Sequence, residues 1–570
     1  MAKKQLFILL LILVLGAFLR FYQFTKTDVI TDEASLAIRA IGLIDFDSSP
    51  IQSSPWQWVD RVPSWLHLSM NDHPLGFFLT SHLFFSLFGI NIWGLRLATI
   101  LFGLLSLYLT YLIGKKLFNN STGLTACLIM ALTTYHVWIS RLGLQESLLI
   151  AVMLLSFYFF LLSWEKEKNL LWFFIFLGLS LFVKYTALIS LPLYFIIALS
   201  QKKILPWLKN KYFYFGLLIF IIILCPSFVY NLKMQQTFGH LDFQLSAAFG
   251  QNVPEWQIRL GREMAGGLQQ RINEIVPQIK AGTSWPLFIL FLTSFFALIW
   301  QWLKNIKQPE NRSNLILLTT LIFWLLWFFI IGAELRFISC LIPFLALTAS
   351  WFIIFIWSLI KKSILKRLFF VLLIFIFFSE LFFTLNTIFI SPPLGQKNIF
   401  WSPIYYEIKD WGLHDLDNYL NRLLLHQTPA LSFSPRYQFL QTIKDKNLAR
   451  TTKNNYQKFP ALIVYDANLN DMAALWLFHR RVIYQSWPII TADDFLNIIN
   501  NQELPEYQKT GITKFYFIAL TNNSYLRQQD LTKSGKNLEI IMEKNNILPV
   551  MIYNKNNQPV FKIYQFNEVK

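Results

Sequence analysis

The sequence predicts a polytopic α-helical membrane protein with an α/β domain at its carboxyl end. Three observations carry this. Of 570 residues, 55% are hydrophobic and only 14% are charged, with 56 Phe and 20 Trp; a soluble fold has too few charged groups to cover that much apolar surface. Long apolar runs recur over the first two thirds of the chain, near the roughly 20 residues that cross a hydrocarbon core. Beyond residue 390 the pattern changes to short apolar runs alternating with helical ones.

The first run, FILLLILVLGAFLRFYQF from Phe7, follows Lys3 and Lys4. A signal peptide begins similarly, but no small-residue cleavage site precedes Asp32 and Glu33, so the run is expected to remain as the first span. Further spans are expected near 94–114, 122–140, 145–163, 169–184, 187–200, 211–230, 285–303, 315–333, 337–359 and 367–390. The run from Leu75 to Ile90 is ambiguous. If it crosses, Lys115 and Lys116 lie outside and every later basic loop is inverted. If it only dips into the outer surface, the loops of Lys115/Lys116, Lys166/Lys168, Lys202/Lys203/Lys209/Lys211, Lys304/Lys307/Arg312 and Lys361/Lys362/Lys366/Arg367 all face the cytoplasm. The positive-inside rule selects the second arrangement, with about 11 spans, the amino terminus inside and the carboxyl terminus outside. The runs at 169–184 and 187–200 are short for a bilayer.

Three regions then lie outside: loop 25–91, loop 231–284 and residues 391–570. The domains are accordingly a membrane domain, 1–390, and an extracytoplasmic α/β domain, 391–570. In the latter, ALIVYDA (461–467), VIYQSW and KFYFIAL (514–520) read as strands, DMAALWLFHRR and DDFLNII as helices, and LEIIMEK, PVMIYN and FKIYQF as further strands. The tail has no Gly-rich phosphate loop, HExxH or nucleophile elbow, which points to a supporting or acceptor-facing role.

A net charge of +18 suggests nucleic acid until its distribution is seen; much of it sits in short loops, where it reports topology. No nucleic-acid partner is expected. Cys127, Cys225 and Cys340 are far apart and in or beside apolar runs, so they suggest neither a disulfide framework nor a thiolate metal site.

The polar groups worth following lie at the outer ends of the spans. Thr31 can cap a helix with Asp32 and Glu33 in its first turn, and Leu36, Ala37, Ala40, Ile41 and Ile44 then form the apolar face of a helix on the membrane surface. Acids in a first turn also favour the positive helix end whatever the protein does. Asp72, His73 and Pro74 precede the dipping run, and a proline in a first turn is ordinary. Arg141 and Glu146 flank the break between two spans, where simple anchoring is the plainer account. Lys184 interrupts apolar sequence at an outer turn, where snorkelling is the plainer account. Arg336, beside Glu334, is a cation on the translocated side, against the sign rule. Together these residues come from separate hairpins yet fall at one membrane face. A carboxylate there can deprotonate a hydroxyl and cations can stabilise a departing phosphate, which suits a substrate with a lipid tail and a phosphate head. A proton-coupled transporter would place ionisable groups nearer the midplane.

The pieces FLRFYQF…TDEASLA, HPLGFFLTSHLFFSLFGINIWGLRLATILFGLLSLYLTYLIGKKLF, ISRLGLQESLLIAVMLLSFYFFL, LFVKYTALISLPLYF and LRFISCLIPFLAL cover most of residues 10–360. In this order they resemble the membrane glycosyltransferases of the GT-C class, in the broad family of protein O-mannosyltransferases and lipid A aminoarabinose transferases. The resemblance implies a GT-C fold with juxtamembrane helices in the first external loop. It also implies a polyprenyl-phosphate sugar donor and transfer on the extracytoplasmic face.

Carried onto this chain, the family's paired acids match Asp32 and Glu33, the first being the implied base. Its His/Lys-Pro-Pro-Leu element matches His73–Leu75 with one proline missing. Its arginine followed by an acid matches Arg141 and Glu146, the acid often being Asp there. Lys184 and Arg336 match cations near the lipid phosphate. The aminoarabinose transferases tend to carry an arginine where this chain has Ser35, and loop 231–284 is too short for the lumenal repeats of eukaryotic protein mannosyltransferases. A less specialised prokaryotic member is the better match.

The expected activity is inverting transfer of a sugar to a hydroxyl of a protein, lipid or glycan. Asp32, Glu33 and Glu146 form the catalytic set, and His73, Arg141, Lys184 and Arg336 bind the lipid phosphate. No metal site and no essential cofactor are expected, although three acids could accept a divalent ion. A flippase or exporter of lipid-linked sugars is the alternative, and a catalytically silent envelope subunit a third; internal twofold symmetry, which would favour transport, is not evident.

Overall fold

The computed structural model describes residues 3–43, 73–251, 267–304, 312–434, 438–522 and 531–567. Asp72 and much of the first external loop lie outside the described residues, as does part of loop 231–284. Contacts divide the chain into two compact units, Met1–Thr25 with Arg39–Glu407 and Lys26–Ile38 with Ile408–Lys570. The sequence places a single division at 390; the contacts place it after Glu407 and give the second unit a segment from near the amino terminus.

Among the described residues of the first unit, eight helical segments are long and apolar enough to cross a membrane. They are α1 (Lys3–Phe21, continued by a turn to Lys26), α4 (Ile92–Leu117), α7 (Gln145–Leu162) and α10 (Lys211–Phe238), followed, after the shorter polar helix α11 (Leu268–Ala281), by α12 (Trp285–Lys304), α13 (Arg312–Ile331), α14 (Ile342–Leu359) and α15 (Ser363–Ile388). The run read as a span at 122–140 is two helices, α5 (Asn120–Leu132) and α6 (Thr134–Arg141), bent by 62°. The two short runs are α8 (Asn169–Val183) and a 3-10 turn, Tyr185–Ile189, leading into α9 (Ser190–Ser200). The protein is therefore an integral membrane protein. The ambiguous run forms α3 (Gly76–Phe88), whose 13 residues reach about 20 Å, well short of the roughly 30 Å hydrocarbon core. The other described helix between the first span and α4 is α2 (Thr31–Gly42).

Local chemistry sets the helix boundaries. The Asn91 side chain accepts from Gly94 N to start α4, Asn119 from Thr122 N to start α5, and Asn210 from Tyr212 N to start α10. Each satisfies one of the amide groups that a helix start leaves bare. At one end of the bundle Asn120 bonds Gln5, Lys116 pairs with Glu165, and Arg312 stacks on Trp164. The breaks carrying Arg141, Glu146, Lys184 and Arg336 follow from alternating helices at the other end.

The bend between α5 and α6 would leave carbonyl groups bare inside a membrane, where each unsatisfied group costs several kcal/mol. Arg20 of α1 prevents this. Its guanidinium donates to the carbonyls of Met130 and Ala131 and, at 2.6 Å, to Nδ1 of His136, which must therefore be the acceptor. On the far side of the bend, Glu380 of α15 accepts from the backbone N–H groups of Thr134 and Ser284, and Thr384 donates to Leu132 O.

The second unit is built on a sheet of five strands in the order β4-β3-β5-β7-β6. Strands β3 (Ala461–Tyr465), β4 (Ile489–Thr491) and β5 (Lys514–Leu520) are parallel, while β7 (Pro559–Phe566) runs antiparallel to β5 and to β6 (Val550–Tyr553). A small separate pair joins β1 (Gln427–Pro429) and β2 (Gln457–Phe459). Strand alternation divides the core. Ile463 and Ile518 pack with Leu416 and Leu420 on one face, and Val464 and Phe517 pack with Phe495, Leu538 and Met542 on the other.

Two expected strands are helical instead. VIYQSW continues the helix after Asp471 through Arg480–Gln485, because Arg480 and Arg481 reach back to Asp417 at 2.5 and 2.7 Å; the chain turns only at Ser486, with φ 63°. LEIIMEK lies in the helix Ser534–Lys544, where Leu538 and Met542, four residues apart, share the buried face.

Candidate active site

Within the first unit the chain brings Glu146, Lys184 and Arg336 together. Glu146 sits in the first turn of α7, where the helix dipole favours a carboxylate. Lys184 ends α8 in extended backbone (φ −161°), so its side chain leaves the helix axis before the 3-10 turn begins. Lys184 Nζ donates to Glu146 Oε1 at 2.6 Å, with the side chains 7% and 2% exposed. The short helix Leu335–Ile338 carries Arg336, whose charge also acts on Glu146, and Phe337, whose ring lies 5.0 Å from Lys184 Nζ. The group therefore holds one acid and one cation away from water, with the half-buried Arg336 acting on the acid.

The 3-10 turn after Lys184 is anchored by a cluster that sequence reasoning misses. Tyr185 donates its hydroxyl to Asp242 at 2.8 Å, and Asn231 donates to the same carboxylate oxygen at 2.8 Å. Asp242 is fully buried. Its only sequence signal is a lone acid just inside loop 231–284.

His73 is half-buried and opens the turn into α3. Gly76, at the start of that helix, lies so close to α8 that a Cβ there would stand 2.7 Å from the carbonyl oxygen of Phe182. Only glycine permits this approach, which packs the start of α3 against the hairpin of Lys184.

Arg141 has a different setting from the one the sequence suggests. One guanidinium nitrogen donates to the carbonyls of Leu19, Arg20 and Tyr22, which end α1, and the group stacks 4.8 Å from the Phe389 ring. Those bonds close the C-terminus of the first span.

Asp32 and Glu33 lie in the segment assigned to the second unit, half-buried and buried respectively. The expected helix forms, and its apolar residues Ala34, Leu36, Ala37, Ile38, Ala40 and Ile41 are buried, while Thr31 is exposed and Asp32 and Ser35 are half-buried. Thr31 is not an extended capping residue. Its φ is 54°, an outlying conformation for a β-branched side chain, and such strain persists only where the surroundings enforce it.

Also within the second unit, Asp28 accepts from the backbone N–H groups of Trp411 and His414. Burial, reinforced by the charge of Asp410, pushes its carboxyl up to about 7 despite those bonds. Burial alone would raise Asp417 too, but Arg480 and Arg481 hold it below the usual carboxylate range. Among the described residues no group of three or more His, Cys, Asp or Glu side chains could hold a metal ion.

Residues 72–230, which include His73, Arg141, Glu146 and Lys184, match the family described as dolichyl-phosphate-mannose-protein mannosyltransferase. No curated protein matches the chain significantly by sequence. Among solved structures, ArnT from Cupriavidus metallidurans bound to undecaprenyl phosphate is similar at a TM-score of 0.54 and 14% identity, over 99% of this chain and 98% of that one. Its apo form gives 0.52 and 13%, over 98% and 97%. The archaeal oligosaccharyltransferase AglB from Archaeoglobus fulgidus, in complex with an inhibitory peptide and a dolichol-phosphate, gives 0.45 and 11%, over 90% and 69%. By segment and by fold, this chain is similar to the GT-C membrane glycosyltransferases of the mannosyltransferase and ArnT kind.

Proposed function

We propose that the protein is an inverting glycosyltransferase that moves a sugar from a polyprenyl phosphate, of undecaprenyl or dolichyl type, to a hydroxyl of a protein, lipid or glycan. The observation that carries this reading is the buried pair of Glu146 and Lys184, with the half-buried Arg336 acting on the same carboxylate. A lipid-linked sugar phosphate is a diester with one negative charge, and its phosphate gains a second as the sugar leaves. A fixed surplus of positive charge in a water-poor site favours the second charge over the first, which is the condition for lowering a barrier.

In this reading Lys184 and Arg336 receive the phosphate, Glu146 holds Lys184 in place, and His73 borders the same hairpin. Asp32, with Glu33 beside it, takes the proton of the acceptor hydroxyl as its oxygen attacks the anomeric carbon opposite the phosphate. The sugar–phosphate bond breaks with its electrons going to the phosphate, and the sugar is inverted. Arg141 acts through the fold by closing α1. Two cations are enough to meet the leaving group, so no cofactor is essential. The undecaprenyl phosphate bound by ArnT is a ligand of this class. An extracytoplasmic site is supported by the cationic opposite end of the bundle, where Lys116 and Arg312 lie.

The test is incubation of purified protein with labelled polyprenyl-phosphate sugars and candidate acceptors, with products identified by mass. Asp32→Asn is expected to abolish transfer and keep donor binding; transfer at the wild-type rate would sink the base assignment. Movement of the lipid-linked sugar across a vesicle with no glycosylated product would support the flippase reading instead.

A further inference from the structure

We propose that Asp28 and Tyr484 are positioning residues, through which the second unit holds the segment carrying Asp32 and Glu33 in place for sugar transfer. The inference rests on the reading of Asp32 as the base and assigns the carboxyl-terminal domain a part in the reaction. It stands on contacts within the second unit alone.

The helix α16 (Leu413–Leu423) begins after Gly412, which has φ 86° and no side chain to cap the bare amides. The missing cap comes from far upstream. Asp28 Oδ1 accepts from His414 N at 2.7 Å and Oδ2 from Trp411 N at 2.5 Å. Asp410, alongside, accepts from Gly412 N and Lys555 N, so the turn that receives Asp28 is itself fixed to the end of β6. Two residues beyond Asp28, Ile30 packs into the apolar layer formed by α16 and the sheet. At the other end of the segment the Tyr484 hydroxyl donates to the carbonyl of Ile38.

Asp32 and Glu33 thus lie between two anchors, a carboxyl and a phenol hydroxyl, with an apolar contact between them. The strained Thr31 falls inside the same stretch, and strain of this kind needs surroundings that over-determine it. A base displaced by about 1 Å can cost about 100-fold in rate, so anchors of this kind would act on turnover rather than on the lipid phosphate.

The experiment uses the full-length protein in nanodiscs, comparing wild type with Asp28→Ala, Tyr484→Phe and Asp32→Asn. Amide exchange is followed in residues 26–38, in α7 and in α8. Binding of undecaprenyl phosphate is measured, and kcat and donor KM are taken with the active donor–acceptor pair. In Tyr484→Phe and Asp28→Ala, exchange in 26–38 is expected to rise about 10-fold or more. Exchange in α7 and α8 and lipid-phosphate affinity stay at wild-type values, and kcat falls about 10-fold with donor KM unchanged. Tyr484→Phe removes a single oxygen and carries the test if Asp28→Ala does not fold. Wild-type exchange in 26–38, or wild-type kcat despite faster exchange, overturns the positioning role. Asp32→Asn turning over at the wild-type rate would instead remove the reading beneath it, a different and separable failure.

Discussion

Lys184 Nζ and Glu146 Oε1 stand 2.6 Å apart in a setting nearly closed to water, and Lys184 is the nearer of the two cations acting on Glu146. Removing one member of such a pair strands the other, at a typical cost of about 3–5 kcal/mol. Lys184→Met is therefore expected to lower the thermal unfolding temperature sharply and to abolish transfer. The double variant Glu146→Leu with Lys184→Met should regain much of the stability and none of the activity. Melting curves beside the transfer assay separate the two effects; recovered activity in the double variant would exclude Lys184 from the phosphate site.

Arg141 and Lys184 are both cations at the same end of the bundle, yet their variants should behave differently. One guanidinium nitrogen of Arg141 donates to the last carbonyls of α1, so Arg141→Lys is expected to reduce stability by about 1–3 kcal/mol, the scale for a bared buried polar group. Donor KM should stay at its wild-type value. A raised KM with unchanged melting would return Arg141 to the lipid phosphate.

Arg20 serves carbonyls that the bend between α5 and α6 leaves open. Arg20→Met should destabilise the protein by several kcal/mol, because those groups have no water to turn to. His136→Phe should cost less, since it removes an acceptor and leaves the carbonyl contacts of Arg20 standing. The two melting temperatures give the comparison, and equal losses would mean that the histidine contact dominates.

Asp28 predicts a pH dependence. Its carboxyl is pushed up to about 7 in the folded chain from an ordinary 3.8. Between those values the folded form holds a proton that the unfolded form has released, so stability from this group rises as pH falls from about 7 towards about 4 and is lost as pH climbs through 7. Asp410 and His414 face the same carboxyl and belong in the comparison. Unfolding of the second unit across this range should show that slope, and Asp28→Asn should flatten it. An unchanged slope would assign the titration to another group.

The charges at the span ends are legible in the sequence because a membrane makes them conspicuous. Lys184 and Arg336 interrupt or end apolar runs and Glu146 opens one, so charge bookkeeping assigns them to one end of the bundle before any coordinates. The alternation Ala461–Tyr465 and Lys514–Leu520 likewise announces the sheet. What stays hidden depends on partners distant in sequence. The bend at Thr133 is invisible in a largely apolar run, and with it the reason for Arg20; Arg141 answers to the last carbonyls of α1, over a hundred residues earlier. VIYQSW has a strand's composition and is kept helical by Asp417, some sixty residues earlier. The burial of Asp28 has no local signal, because its donors lie 383 and 386 residues away.

That separation has a consequence for the order of assembly. Residues 26–38 leave the ribosome long before α16, which they cap. At about 5–20 residues per second, the interval is roughly 20–80 s. Throughout it the first span is made and the later spans follow, while the segment bearing Asp32 has no partner to fold upon. The acid pair is thus among the first chemistry synthesised and among the last to be set in place. A chain halted before its final sheet would carry every cation of the proposed phosphate site and still lack an ordered segment for its proposed base.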